Sequence, residues 1–173
     1  ADMLDWDALN DFRRKSLNPE HPAQRGTAQN PDVFFQAKEA SNKAYDAIPE
    51  VVEEYMNKVN EKIGSDYKLF NYYGAEDADE VIIAMGSVCD TISETVDYLN
   101  ANGRKVGLVK VRLYRPFSVK HLVAAIPSTV KKISVLDRTK EPGSIGEPLY
   151  LDVVAALRDT EFANVPVYTG RYG

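Results

Sequence analysis

The sequence predicts an α/β fold, a doubly wound and mostly parallel sheet preceded by a helical arm. Three observations predict it. From Tyr67 onward, short apolar runs alternate with segments of helical periodicity, as in βαβ units. Most of those runs are apolar without interruption, which indicates strands buried on both faces. Before Tyr67 the chain is rich in Asn, Asp, Glu and Lys and has helical spacing. We therefore expect a helical connecting segment over residues 1–66 and an α/β domain over residues 67–173.

The arm is predicted to hold helices joined by loops. Asn30 can cap a helix that starts with Pro31. A second amphipathic helix is expected to begin near Pro49 and to stop at Gly64. The run from Leu17 to Asn30 contains two prolines and one glycine. Its length suits either a functional or interface-forming loop or a disordered connection.

The second part is predicted to contain five strands with three helices between them. The strands are expected at residues 68–73, 81–85, 106–111, 133–136 and 165–168, and the helices at residues 88–102, 119–125 and 147–157. Right-handed crossovers restrict how these strands are ordered. If the chain returns to the far side of the 81–85 strand, a switch point forms between that strand and the 133–136 strand. Sheets of this kind usually bind ligands there.

Four residues would line the predicted crevice: Gly86, Ser87, Asp137 and Arg138. Gly86 and Ser87 lie between a strand and a helix, where free amides favour an anion, although a tight turn is the alternative interpretation. The run GSVCDT is not the GxGxxG of dinucleotide sites. Arg138 could clamp a carboxylate or a phosphate.

The charges around Asp137 have other interpretations. Asp137, Arg138 and Glu141 could pair with one another, or with Arg112 and Arg115, and so fix the loop that follows the strand. The same charges could instead contact another domain. These alternatives are left open by the sequence.

Other reactive residue types form no catalytic pattern. His21 and His121 are far apart and lack serine, cysteine or carboxylate partners in a triad-like order. Cys89 follows a buried strand, where a cysteine is usually packed and inert. No metal-ligand spacing occurs. We predict no catalytic residue and no metal site in this chain.

Net charge and composition limit the kinds of partner that this chain is expected to bind. The net charge is −5 with no dominant block of like charge, which argues against nucleic acid. No apolar run approaches the ~20 residues that cross a bilayer, and the first residues are acidic, so no membrane partner and a cytoplasmic location are expected. A single cysteine cannot hold an iron–sulfur cluster that takes four thiolates.

Several longer runs carry a family resemblance. They are VIIAMGSVCDT from Val81, VKVRLYRPF from Val109, ISVLDRTKEPGSIGEPLY from Ile133, GRYG from Gly170 and HPAQRGTAQNPDVFFQ from His21. Together they resemble pyruvate:ferredoxin (flavodoxin) oxidoreductase across essentially the whole chain. The combination is specific, because no generic α/β domain requires RLYRPF followed by LDRTKEPG.

The resemblance implies a fold and a parent activity. The early segment is similar to the end of the family's first thiamine domain. The later part is similar to its second domain, which resembles the C-terminal domain of transketolase: a three-layer α/β/α sandwich with a mostly parallel five-stranded sheet and one antiparallel strand, here residues 68–73. The family oxidises pyruvate with coenzyme A to acetyl-CoA and CO₂ and reduces ferredoxin or flavodoxin.

The resemblance also implies that the family's cofactors are bound outside this chain. In the family, thiamine diphosphate with Mg²⁺ and the iron–sulfur clusters are bound by other domains, so none is expected in this fragment, and we expect the fragment alone to be inactive. Its expected partners are the other domains of a homodimeric parent, which itself meets ferredoxin or flavodoxin. A structural or assembly role is expected. The alternatives are binding of an anionic ligand, such as coenzyme A or a regulator, at the switch point, and origin in another 2-oxoacid oxidoreductase.

Overall fold

The chain divides between Ser41 and Asn42 into two units. The computed structural model describes residues 2–23, 26 and 28–173. The predicted loop between residues 17 and 30 includes Gln24, Arg25 and Thr27, which lie outside the described residues. The domain boundary expected between residues 66 and 67 lies within the second unit and stays a prediction.

Among its described residues, the first unit has two helices. Helix α1 spans Trp6–Arg14, and the Asp5 carboxylate accepts a 2.9 Å hydrogen bond from the Ala8 amide at its start. Helix α2 spans Pro31–Ala40 and has its proline in the first turn, as predicted. None of the residues in these two helices is buried. Their apolar side chains therefore need a surface that this unit does not supply.

Helix α3 spans Asn42–Ile63 and begins the second unit. It starts about two turns earlier than the predicted start near Pro49, because this proline lies inside the helix. Pro49 is buried. Val52 and Met56, one turn apart, pack against the main apolar cluster of the unit.

Five strands form one mixed sheet in the order β1-β3-β2-β4-β5. They are β1 (Phe70–Gly74), β2 (Glu80–Met85), β3 (Val106–Val111), β4 (Lys132–Asp137) and β5 (Val167–Arg171). Strand β1 pairs antiparallel with β3, and the other pairs are parallel. The α/β fold with one antiparallel strand is therefore confirmed.

Helices cover both faces of the sheet. On one face, α4 (Val88–Ala101) packs against β1, β2 and β3. On the other, α5 (Val119–Ala125) packs on β1 and α6 (Pro148–Leu157) on β4 and β5. The apolar cores of the two faces separate along β2, where Ile83 belongs to the larger cluster and Ala84 to the smaller. This alternation follows from the two-residue period of a strand.

The edge strands are shifted from their predicted positions. The sequence predicts strand β5 at residues 165–168, but the Val165 amide donates to the Phe162 carbonyl at 2.9 Å in a turn, which keeps Val165 out of the ladder. Strand β1 was expected from Lys68, whose amide donates to the Asn71 side chain at 2.9 Å instead of to β3. Local side-chain and turn bonds thus compete with the sheet at its edges.

Candidate functional site

The switch point of the sheet lies between β2 and β4, as the sequence predicts. After β3 the chain returns to the far side of β2, where Ile83 aligns with Val135. The residue that follows β5 reaches across this point. The Tyr172 amide donates to the Asp137 carbonyl at 3.1 Å, and its hydroxyl donates to the Met85 carbonyl at 3.4 Å. The ends of β2 and β4 are therefore bridged by the chain itself.

Gly86 and Ser87 lie on the other flank of β2. They line a cavity of about 450 Å³ together with Lys110 and Arg112 at the end of β3. Gly86 has a φ of +82°, a conformation that favours glycine in the turn to α4. In the part of the chain that the structure describes, Asp137 does not line this cavity. Of the four residues predicted to share a crevice, Gly86 and Ser87 line this cavity, and the common crevice stays a prediction.

Both cationic groups of this cavity already contact neighbouring side chains. The Lys110 ammonium lies 5.1 Å from the centre of the Tyr73 ring. The Arg112 Nε donates to the Asn71 side-chain oxygen at 2.8 Å. The cavity therefore combines positive charge with the first turn of α4, but its cations are partly engaged.

Asp137 is the N-terminal cap of α6. Its side chain is 1% exposed, and its two oxygens accept hydrogen bonds from the amides of Leu149 (2.9 Å) and Tyr150 (3.2 Å). Glu147, which occupies the capping position along the chain, makes no such bond with its own helix. A carboxylate from a strand end thus satisfies two free amides of the helix start.

Glu147 closes the loop that follows β4. It is 1% exposed, and its Oε1 accepts from Arg171 at 2.9 Å while its Oε2 accepts from the Glu141 amide at 2.8 Å. Burial opposes ionisation of this carboxyl, but these hydrogen bonds and the charge of Lys140 hold its pKa below the ordinary value. Sequence reasoning missed Glu147, although a carboxylate directly before Pro148 at a helix start was an available signal.

The loop between these two carboxylates presents its other side chains to solvent. Ile145 is 93% exposed, and Arg138 is exposed as well. Within residues 2–23, 26 and 28–173, Arg138 has no hydrogen-bond or ion-pair partner. A loop fastened at both ends with exposed apolar and cationic side chains has the properties of a contact surface.

The charge pairs expected around Asp137 are wrong. Arg112 donates to Asn71, and Asp137 accepts from backbone amides. Arg115 pairs with Asp152 of α6 at 2.7 Å. Long-range packing brings each of these groups a partner that the local sequence does not suggest.

The run RLYRPF fastens the end of β3 to α6. The Tyr114 hydroxyl donates to Asp152 at 2.7 Å, and the Arg115 guanidinium lies 4.0 Å from the Tyr114 ring centre. Phe117 packs edge-on against Phe70, with ring centres 5.5 Å apart. Burial, and then the hydrogen bond to the charged Asp152, raise the pKa of Tyr114 to about 12.

This pKa predicts a loss of stability in strong base. Because the folded-state pKa of Tyr114 exceeds the ordinary value of 10, its contribution is complete below pH 10 and is lost as the pH rises toward about 12. The difference in unfolding free energy between the wild-type chain and Tyr114→Phe should therefore shrink over that window. Urea unfolding at successive pH values measures it, and Tyr98→Phe at an exposed tyrosine is the control. A difference that stays constant from pH 10 to about pH 12 would contradict the prediction.

His121 has partners that the sequence analysis did not assign. Its Nδ1 lies 2.6 Å from the Ser118 hydroxyl, and its Nε2 lies 3.6 Å from the Glu53 carboxylate. The absence of such partners, expected from the sequence, is therefore wrong for this histidine. Ser118 precedes α5 and Glu53 belongs to α3, so the three groups connect the two helices. His21 lies in the first unit, where its amide donates to the Asn18 carbonyl.

The described residues do not fit a metal or a cluster. Cys89, the one cysteine of the chain, is buried, and burial raises the pKa of its thiol. No group of three or more His, Cys, Asp and Glu side chains suited to a metal ion occurs among the described residues. Likewise, no helix in that part of the chain has the length and apolar character to cross a membrane.

Comparison with protein families gives two matches. Residues 78–173 match the family model described as pyruvate:ferredoxin oxidoreductase core domain II. Residues 2–57 match the model described as pyruvate flavodoxin/ferredoxin oxidoreductase, thiamine diphosphate-binding. Most of α3 therefore lies within the match to the thiamine diphosphate-binding model, whereas the contacts of α3 place it in the second unit.

Individual relatives agree with these matches. The chain is 60% identical over 172 residues to a pyruvate-flavodoxin oxidoreductase of Enterobacter agglomerans, an alignment that covers 99% of this chain and 15% of that protein. It is 56% identical over 173 residues to the pyruvate:ferredoxin oxidoreductase of Moorella thermoacetica, covering 100% of this chain and again 15% of the relative. The chain therefore spans about a seventh of the length of these relatives.

A solved structure shares the fold. A 2-oxoglutarate:ferredoxin oxidoreductase from Magnetococcus marinus, with 2-oxoglutarate, coenzyme A and succinyl-CoA bound, aligns with a TM-score of 0.50 and 20% identity. The alignment covers 87% of this chain and 23% of that one. At this identity the likeness supports the α/β fold.

Proposed function

The chain belongs to the pyruvate:ferredoxin (flavodoxin) oxidoreductase family, and from that membership we propose that it is part of an enzyme that oxidises pyruvate. The parent enzyme converts pyruvate and coenzyme A to acetyl-CoA and CO₂ and passes the electrons to ferredoxin or flavodoxin. The identities of 60% and 56% to relatives with these names support pyruvate as the substrate over other 2-oxoacids.

Within that enzyme the second unit has a structural and assembly role. The observation that supports this role is the use of its buried carboxylates. Asp137 and Glu147 are the acidic side chains buried among the described residues. Both accept hydrogen bonds from backbone amides, and Glu147 also accepts one from Arg171. Each is buried and accepts its hydrogen bonds from groups of the chain itself, which supports a structural use. They fix the loop between β4 and α6, residues 138–147, which we call the rim and which other domains contact.

The cofactors of the parent lie outside this chain. Thiamine diphosphate supplies the carbanion chemistry of such enzymes when it is bound. We assign the iron–sulfur clusters and Mg²⁺ to the other domains, because the described residues offer one buried cysteine and no metal-binding group. Thiamine diphosphate is assigned there as well, from the family resemblance. Coenzyme A is a co-substrate of the parent.

The first unit is the end of the thiamine domain that precedes it. Its helices expose large apolar side chains, namely Trp6, Phe12, Phe34 and Phe35. Such a surface is covered in a larger protein. We propose that residues 1–66 form the end of the thiamine domain, with residues 1–41 docking on its remainder, and that residues 67–173 form the second domain of a cytoplasmic, homodimeric enzyme.

A second candidate is an anion site in the cavity beside β3. Lys110, Arg112 and the first turn of α4 favour it, and part of coenzyme A or an anionic regulator has the required charge. The partial engagement of both cations weighs against this site.

Activity measurements on the full-length enzyme separate the two candidates. Under the structural role, Ser87→Ala combined with Lys110→Ala should keep kcat and the KM for coenzyme A within about two-fold of the wild type, because neither side chain then contacts coenzyme A. A rise in that KM by about ten-fold with unchanged kcat would favour the anion site instead. Arg138→Ala, outside this cavity, is the matched control and should leave the KM unchanged in either case.

The isolated 173-residue chain should form no acetyl-CoA from pyruvate. Acetyl-CoA production by the purified chain would overturn the structural role. Parallel assays of the full-length enzyme with pyruvate and with 2-oxoglutarate test the substrate, and preference for 2-oxoglutarate would contradict the proposed activity.

A further inference from the structure

Helix α3 belongs to one part of the chain by family and to another by its contacts. Residues 2–57, which include most of α3, match the thiamine diphosphate-binding model, and residues 78–173 match core domain II. In the second unit, however, Pro49 of α3 is buried, and Val52 and Met56 pack against the main apolar cluster. A contact between α3 and residues 78–173 is therefore a contact between the two parts that the family models define.

Apolar packing alone does not determine how α3 lies beside α5. Hydrophobic contact is non-directional, and two helices interlock only where their side chains pack closely. Here a cavity of about 500 Å³ is lined by Glu53 of α3, by His121 and Ala124 of α5 and by Phe70 of β1. The two helices are thus not interlocked at this point, and a directional contact is needed to define the position of α3.

His121 provides that directional contact. Its side chain is 12% exposed; its Nδ1 lies 2.6 Å from the Ser118 hydroxyl, and its Nε2 lies 3.6 Å from the Glu53 carboxylate. If the hydroxyl donates to Nδ1, the ring proton is on Nε2 and faces the carboxylate. The opposite tautomer would turn a lone pair toward the negative charge of Glu53. The first arrangement gives every group a complementary neighbour.

Ser118 is used to orient the ring and not to cap its helix. A serine directly before a helix ordinarily accepts a hydrogen bond from an amide of the first turn. Among the described residues, no amide of α5 donates to the Ser118 side chain. The hydroxyl is therefore available to donate to His121, three residues along the chain.

The other end of α3 is held by Asn60. Its side-chain oxygen accepts from the Tyr67 amide at 2.7 Å, and its side-chain nitrogen donates to the Tyr67 carbonyl at 2.9 Å. Glu53 and Asn60 are seven residues apart, so they lie on nearly the same side of the helix and about 10 Å apart along its axis. Two polar contacts in this arrangement define the rotation of a helix as well as its position.

We propose that Ser118, His121 and Glu53, here called the α3 latch, fix α3 on the second unit and thereby position the end of the thiamine domain. Ser118 orients the imidazole, and the imidazole presents its N–H to Glu53. At 3.6 Å the attraction is electrostatic and without a direct hydrogen bond, so the latch aligns the helix without holding it rigidly. The inference rests on the proposal that residues 1–66 form the end of the thiamine domain.

Amide exchange in α3 tests the latch. In the 173-residue chain, Glu53→Gln should speed exchange of the amides of residues 52–56 about two- to five-fold relative to those of β3, a modest factor because Glu53 is half-exposed. His121→Ala also removes the partner of Ser118 and should speed them about five- to ten-fold. The double variant should be no faster than His121→Ala alone, since both changes break one contact. Equal acceleration in α3 and β3 would indicate a general loss of stability and would overturn the positioning role.

Glu54→Gln is the matched control. Glu54 is the next residue of the same helix, and its charge pairs with Lys58 of α3 instead of with α5. Its replacement should change the ratio of α3 to β3 exchange by less than about 1.5-fold. The latch is refuted if Glu54→Gln acts as strongly as Glu53→Gln, or if neither Glu53→Gln nor His121→Ala changes the ratio.

The full-length enzyme shows whether the latch acts in the parent. Glu53→Gln should speed the α3 amides there by the same factor as in the 173-residue chain. A response that is confined to the 173-residue chain would mean that other domains hold α3, and the positioning role would be lost. Activity is a separate readout: a full-length enzyme that does not oxidise pyruvate contradicts the proposed function and leaves these exchange ratios unaffected.

Discussion

Replacing Asp137 with alanine is expected to lower the free energy of unfolding by about 2–4 kcal/mol. The carboxylate is 1% exposed and accepts hydrogen bonds from the Leu149 and Tyr150 amides. Alanine leaves both amides without their acceptor and removes a negative charge from the positive end of α6. Urea unfolding of the 173-residue chain, followed by circular dichroism, measures the change.

Two matched variants separate the cap from general effects of charge. Asp137→Asn keeps one acceptor oxygen and should cost about half as much as alanine. Asp90→Ala removes an exposed acid in the first turn of α4 and should change the stability by less than about 0.5 kcal/mol. If Asp137→Ala is as mild as Asp90→Ala, the carboxylate does not hold α6 and the proposed shaping of the rim loses its basis.

Gly74→Ala is expected to destabilise the chain by about 3–5 kcal/mol. Gly74 ends β1 with a φ of +125°, a region essentially restricted to glycine. A Cβ atom there would lie 2.5 Å from the Val106 carbonyl oxygen and 2.8 Å from the Gly107 Cα. Both are backbone atoms of β3, so the antiparallel strand would have to move. Thermal and urea unfolding provide the measurement.

Two other glycines divide this effect into its causes. Gly143 has a φ of +82° but open space where a Cβ atom would lie, so Gly143→Ala should show only the conformational cost of about 1–2 kcal/mol. No atom of the described residues lies within 4 Å of where a Cβ atom would be at Gly26, and Gly26→Ala should be nearly neutral. Equal losses for Gly74→Ala and Gly143→Ala would show that the backbone contact with β3 is unimportant.

The regular elements were predictable because their signals are local. The apolar run of β3 over Val106–Val111 and the helix Val119–Ala125 occur at the predicted residues. The start of α3 was not predictable in this way. A proline usually marks a helix start, but Pro49 lies inside the helix. The tertiary burial of Pro49 compensates for its missing amide.

The candidate site was harder to predict than the fold. Gly86, Ser87, Asp137 and Arg138 do follow the strands that flank the switch point. Their roles depend on partners from distant parts of the chain: Asp137 meets α6, and Tyr172 bridges β4 to β2. Spacing along the sequence carries no information about such partners.

The sequence by itself determined the α/β class through its periodicity and the family through long specific runs such as LDRTKEPG, and the family resemblance implied the antiparallel first strand. The tertiary structure decided which partners the two buried carboxylates at the end of β4 and before α6 have. Burial of Asp137 and Glu147 requires that each find hydrogen-bond donors, and the fold supplies amides of α6 and the loop together with Arg171. Which groups are near enough to satisfy a buried charge is a matter of three-dimensional packing, so these partners became visible only in the tertiary structure.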